Sequence, residues 1–175
     1  MHLRPIPICA ALLALAAAAA AETTYQDPPG RFTLVVPDGW TAAPQDTGGM
    51  GGVQLRRDAT WMLIGPFGGA SDRRDAVSQL TEQFRAQYRT LAPVKSGDFK
   101  VGGQPAVYAT FDAVNSRGAR IVLTLAGVDS PSAGVFVVIS AAPQREAATA
   151  QPVLDRIRET VRWYEPGAAP ATGKQ

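Results

Sequence analysis

The amino-acid sequence predicts an α+β fold, an antiparallel β-sheet of about six to seven strands covered by two main helices. Three observations predict it. Most apolar segments are short, β-rich and separated by turns containing Gly, Pro, Asn or Asp, the pattern of sequential antiparallel strands. Two longer segments, around 71–92 and 146–163, repeat apolar residues every three or four positions, as a helix with one buried face does. One strand-like run, Val135-Phe136-Val137-Val138-Ile139, is apolar on both faces, as in a central strand covered on both sides.

Taken in order, Arg31-Phe32-Thr33-Leu34-Val35-Val36 reads as a strand between the turns Asp27-Pro28-Pro29-Gly30 and Pro37-Asp38-Gly39. Gly52 to Arg57 alternates, with Val53 and Leu55 on one face and Gln54 and Arg56 on the other. Asp58-Ala59 turns the chain into Thr60-Trp61-Met62-Leu63-Ile64, so the two strands form a hairpin. A helix starts near Ser71-Asp72, either of which can cap it. Val77, Leu80, Phe84, Tyr88 and Leu91 form its apolar stripe, and Pro93 stops it. Gly97 to Val101 is a strand, and Gly102-Gly103 turns it into a second one where Val107, Ala109 and Phe111 alternate with Tyr108, Thr110 and Asp112. Asn115-Ser116-Arg117-Gly118 leads into Arg120 to Val128, and Asp129-Ser130-Pro131-Ser132 leads into Val135 to Ser140. The last helix occupies about Glu146 to Trp163, with Pro152 either in its first turn or at a kink. The expected order is therefore β-β-β-α-β-β-β-β-α.

Low-complexity segments flank this unit. Residues 1–21 read as a cleavable signal peptide: Arg4, an apolar stretch from Ile8 to Leu15, and Ala19-Ala20-Ala21 before Glu22. Residues 22–165 form a single domain, and 166–175, rich in Pro, Gly and Ala, make a tail expected to be disordered. A mature chain of roughly 150 residues can bury enough surface to fold without disulfides. The formal charge of +2 over the full sequence falls by one when Arg4 is removed. That near-neutral balance argues against nucleic acid or an anionic membrane surface as the partner, and no stable membrane insertion is expected after cleavage.

The residues also carry a resemblance. Asp27-Pro28-Pro29-Gly30-Arg31-Phe32-Thr33-Leu34-Val35-Val36-Pro37-Asp38-Gly39-Trp40 resembles the opening strand of the PsbP/Mog1-like superfamily, of the form G-x-F-x-φ-x-φ-P-x-G-W with φ apolar. Val101-Gly102-Gly103-Gln104-Pro105-Ala106 is similar to the central hairpin of that superfamily, of the form G-x-P-A, and the closing helix also fits. The superfamily includes secreted bacterial proteins of unknown function. The resemblance implies an antiparallel sheet between helices, and members that act as binding or assembly factors. It carries over no catalytic residue. Some plant-type members bind metal through histidine, which the mature part of this chain lacks.

The chemistry open to the mature chain is narrow. The one histidine, His2, and the one cysteine, Cys9, both lie in the leader. Ser-His-Asp and Cys-His mechanisms are excluded, as are zinc, copper and haem sites of the usual nitrogen and sulfur type. Asp72 and Asp75 fall at the start of the first helix, where they complement its dipole. Asp155 and Glu159 are interleaved with Arg156, Arg158 and Arg162 on the last helix, in spacings that suit solvated ion pairs. The loop Thr47-Gly48-Gly49-Met50-Gly51-Gly52 lacks the G-K-[ST] ending of a phosphate cradle and precedes a strand. It reads better as a flexible loop, one able to serve as a mobile lip over a binding surface. The paired bases Arg56-Arg57 and Arg73-Arg74 would form a small site for an anion if the hairpin and the helix start lie close; otherwise they are solvated edge and face residues. Trp40 and Trp163 suit packing, and Trp61 is the preferred candidate for an exposed aromatic. Arg56, Arg57, Trp61, Arg73 and Arg74 therefore make up the candidate binding surface.

The expected function is a non-catalytic binding or assembly module, periplasmic or extracellular, that acts on a protein partner. The alternative is a small-molecule or lipid-binding protein using a sheet–helix cleft near loops 47–52 and 65–70. No enzyme activity, cofactor or metal is expected. A hydrolase working with carboxylates alone would need a perturbed pair, which the sequence does not display.

Overall fold

The structure, a computed structural model, describes residues 22–45, 51–131 and 134–164. The proposed leader, the tail over 166–175, residues 47–50 of the glycine loop and Ser132 lie outside the described residues. The elements are β1 (Thr23–Gln26), β2 (Phe32–Val36), β3 (Thr41–Gln45), β4 (Gly52–Arg57), β5 (Thr60–Pro66), α1 (Arg73–Gln87), β6 (Thr90–Val101), β7 (Gln104–Val114), β8 (Arg120–Ser130), β9 (Gly134–Pro143), α2 (Ala147–Thr160) and β10 (Arg162–Trp163).

Seven strands form one antiparallel sheet in the order β3-β4-β5-β9-β8-β7-β6. The run that is apolar on both faces is β9, at the centre. Its Phe136, Val138 and Ala142 join one buried cluster and its Val137, Ile139 and Ala141 the other. α1 covers one side, packing Ala76 and Leu80 against Phe111, Leu123 and Leu125. The other side carries α2 through Ala150, Leu154 and Ile157, together with a small sheet. Burying a side chain such as Phe136 fully stabilises by roughly 1.5–3 kcal/mol, and β9 has such groups on both faces.

Two sheets are present where one was expected. β2 does not enter the large sheet; it pairs with β1 and β10 in a three-stranded sheet. β1, β3 and β10 were not expected as strands. β1 and β3 lack an apolar alternation, and β10 has two residues, so only their pairing partners define them.

The two helices also end differently from expectation. α1 stops at Gln87, before Pro93, because Tyr88 adopts an extended conformation and the Arg89 N–H donates to the Val114 carbonyl. The chain from Thr90 pairs with β7 as a long edge strand, with a bulge between Pro93 and Lys95. An edge strand is where a proline is tolerated. Leu91 still packs into the α1-side cluster, but from β6. α2 starts at Ala147 and runs through Pro152, so that proline lies past the first turn, and it ends at Thr160.

The turns follow local chemistry. Val101 and Gln104 face each other across Gly102 and Gly103, whose φ values of 56° and 84° suit a two-residue hairpin turn. The Asn115 side chain accepts from the Arg117 and Ala119 N–H groups. Asp72 caps α1, accepting from Arg74 and Asp75 N–H at 2.7 and 2.9 Å.

Candidate functional site: the open half of the α1-side face

The site begins with the alternation of β5. Met62 and Ile64 point to the α2 side, and Trp61 and Leu63 to the α1 side. Cross-strand pairing extends that second face. Arg56 lies opposite Trp61 and Gln54 opposite Leu63, with Thr41 and Ala43 next on β3. α1 packs on β7, β8 and β9. Among the described residues, no helix covers the β3-β4-β5 half of this face. Trp61 and Leu63 are half-buried there, and Thr41, Ala43 and Arg56 are exposed.

Where the covered and open halves meet, a groove of about 420 Å³ runs between α1 and the sheet. Leu63, Val137 and Ile139 form its floor, Leu80 and Phe84 its helix wall, and Phe67 its lip. The lip is anchored: the Phe67 N–H donates to the Val135 carbonyl at 2.9 Å, and Gln79 Nε2 donates to the Gly69 carbonyl at 3.3 Å. Gln79, Gln83 and Gln87 follow each other at a spacing of four along α1 and give the groove a polar, uncharged border. No titratable side chain lines it among the described residues.

At the foot of α1, Asp75 accepts from the Ser71 N–H and hydroxyl and from Gln79. The Ser71 backbone bond, with that of Gln79 next, holds this carboxyl below the ordinary aspartate value. At the other end Phe84 stacks on Tyr88, centroids 5.7 Å apart, and burial pushes the Tyr88 phenol up. Among the described residues no three His, Cys, Asp or Glu side chains cluster as a metal would require, and no helix is long and apolar enough to cross a membrane.

The five candidate residues are not brought together. Arg56 and Trp61 are cross-strand neighbours on the open face. Trp61 is half-buried against the α1-side cluster instead of fully exposed, because Leu63 and the strand's regular alternation keep it there. Arg57 lies on the opposite face, its guanidinium 5.5 Å from the centre of the Trp40 ring. Arg73 pairs with Asp129, which also accepts from the Arg73 N–H. Arg74 reaches Asp98 at 3.4 Å. The Arg56 row continues through Trp61 and Ala141 to Leu123, whereas the start of α1 sits at Gly127 and Asp129, several residues further along β8 at ~3.3 Å each. The two arginine pairs therefore make no joint anion-binding site.

The groove and its glutamine border are not evident from the sequence. A stripe of Gln at spacing four beside Leu80 and Phe84 is the available signal, but its meaning depends on which strands the helix leaves bare. Arg158 also departs from expectation. It pairs with Asp155 as its spacing allows, yet it is buried at 5% exposure instead of solvated.

The layers and strand order define a three-layer α+β sandwich, with α1 on one side of a seven-stranded sheet and α2 with a small sheet on the other. This is the PsbP/Mog1-like fold. The chain is similar to the solution structure of cyanobacterial PsbP (CyanoP) from Synechocystis, with a TM-score of 0.55 and 12% identity over 92% of this chain and 100% of that one. It is similar to the Ran-binding protein Mog1p of Saccharomyces cerevisiae, with a TM-score of 0.55 and 12% identity over 84% and 97%. It is also similar to LpqN, involved in cell envelope biogenesis of Mycobacterium tuberculosis, with a TM-score of 0.52 and 18% identity over 81% and 90%. No protein-family model matches the sequence, and no curated protein matches it.

Proposed function

We propose that this protein is an exported, non-catalytic binding module that engages a protein partner through the open half of its α1-side face. One observation carries the reading: a helix covers only part of this face of the seven-stranded sheet, leaving Trp61 half-buried beside a groove that Leu63 floors and no titratable side chain lines. Such a surface offers apolar contact area and an insertion point for a partner's side chain, and no acid, base or nucleophile. The Ran-binding character of the yeast protein that shares the fold supports binding as the role. Export rests on the leader pattern of residues 1–21.

A photo-crosslinking residue at Leu63 tests the surface in the native host. A defined adduct with one protein is expected, and it is lost when Trp61→Ala or Phe84→Ala is added. The same adducts from a probe at Arg117, in the Asn115–Gly118 turn, would overturn the reading. The intact mass of the exported protein is expected to begin at Glu22; a mass that retains residues 1–21 would overturn cleavage.

The size and lining of the groove favour a second reading, a small hydrophobic ligand held there. Its volume falls within the range of ligand pockets, about 300–1,000 Å³. Native mass spectrometry of the protein from its own host separates the two readings: bound small-molecule mass supports the second, and a bare polypeptide mass rejects it.

A further inference from the structure

A second cleft lies on the opposite face of the large sheet, between α2 and strands β6 to β8, with a volume of about 260 Å³. It exceeds the ~150 Å³ of an engineered cavity that accepts benzene. Its floor is a cross-strand row, Lys95 opposite Thr110 opposite Thr124. The two threonines are buried, and their hydroxyl oxygens are 3.0 Å apart. A hydroxyl pair uses one proton in its own bond and leaves the other for a further acceptor. Phe99 and Tyr108 form the aromatic wall, edge to face at 5.3 Å. Gly97 permits that wall, since a Cβ there would stand 3.3 Å from the Tyr108 ring.

Two cations and two carboxylates line this cleft, but they are not all paired with one another. Arg158, from α2, is 5% exposed and lies with its guanidinium 5.4 Å from the centre of the Phe99 ring. Its carboxylate partner, Asp155, also accepts from Gln151. The other carboxylate, Asp98, is reached by Arg74 at 3.4 Å. Lys95 stands 6.0 Å from the centre of the Tyr108 ring, and no ion pair engages it among the described residues. With Asp155 held by Arg158 and Asp98 reached by Arg74 from outside the cleft, Lys95 is left without a carboxylate, and a guanidinium with five N–H donors is held in a largely desolvated setting.

We propose that this cleft binds the carboxylate of a small organic acid. Arg158 and Lys95 supply the charge, the Thr110–Thr124 pair supplies a hydroxyl donor, and Phe99 and Tyr108 hold the ligand's apolar body. An Arg fork matches the two oxygens of a carboxylate. This site is separate from the α1-side groove and does not depend on its role.

Side-chain and backbone ¹H–¹⁵N NMR of the whole protein tests it, with benzoate as the probe and benzamide as its neutral counterpart at matched ionic strength. Benzoate is expected to give saturable shifts at the Arg158 Nε–H and at the Thr110 and Thr124 amides, and benzamide none. Lys95→Ala, an exposed position that leaves the fold intact, should weaken benzoate by about fivefold. Replacing both Thr110 and Thr124 by Val, which keeps the volume and removes both hydroxyls, should also weaken it. Equal shifts with benzamide, shifts confined to the α1-side groove, tighter binding of inorganic phosphate than of benzoate, or no saturation would each overturn the proposal. Arg158→Lys is the stricter variant, and the other two keep the test decisive where it does not fold.

Discussion

Asp27 is 1% exposed and accepts from the Arg31 backbone N–H, from Nε at 2.6 Å and from the second guanidinium nitrogen at 2.8 Å. Arg31 also donates to the Gly51 carbonyl and lies over the Phe136 ring. The Asp-Pro-Pro-Gly-Arg segment is thus a turn closed by a buried ion pair. Removing one member of such a pair leaves a costly buried charge. Asp27→Ala should destabilise by about 3 kcal/mol in urea unfolding; an unchanged midpoint would show that the pair adds nothing. Asp75 makes a pH-dependent prediction. Its folded carboxyl lies below its ordinary value, so its contribution is full above the ordinary carboxylate range and is lost as pH falls through the folded value. Asp75→Asn should be less stable than the parent at neutral pH, and the difference should vanish in acid. Spacing alone shows that Asp27 and Arg31 are four apart and that Asp155 can meet Arg158. It does not show that Asp27 and Arg158 are buried, because their cover comes from residues distant in the chain.

Among the elements, α1 shows most clearly how packing sets position. Its first turn rests on Gly127 of β8, where a Cβ would stand 2.1 Å from the Arg73 carbonyl oxygen. No side chain fits there without moving the helix. Gly127→Ala should lift the start of α1 and cost roughly 1–3 kcal/mol, the usual range for overpacking. Faster hydrogen exchange in the first turns of α1 than in β8 would locate the effect, and an unchanged exchange pattern would refute it. The same helix marks the boundary of sequence reading. Its apolar stripe is legible through Tyr88 and suggests continuation to Pro93. β7 instead captures the chain from Thr90, and a ladder of strand bonds outweighs a few more residues of helix. A local period cannot record that competition.

Across the whole molecule, the C-terminal end ties the small sheet to the large one. Trp163, in β10, donates from Nε1 to the Val101 carbonyl at 2.9 Å. Its ring packs 5.8 Å from Phe32 and 5.0 Å from Phe136. It therefore joins β2, β9 and the β6–β7 turn. Trp163→Ala should cost about 3 kcal/mol, and Trp163→Phe, which keeps an aromatic ring but loses the hydrogen bond, about 1 kcal/mol. Equal losses in denaturant unfolding would show that the hydrogen bond contributes nothing.

Legible in the sequence alone were the α+β class, the hairpins at Asp58-Ala59 and Gly102-Gly103, the doubly covered strand over 135–139, and the absence of histidine and cysteine from residues 22–175. Each of these depends on near neighbours: turn residues, alternation and side-chain type. Packing across the chain set the rest: β2 leaves the large sheet, α1 covers one half of a face, the two arginine pairs stand apart, and Arg158 and Lys95 share a cleft. Those outcomes depend on strand order and on which layer meets which, and contacts between residues far apart in the chain set both.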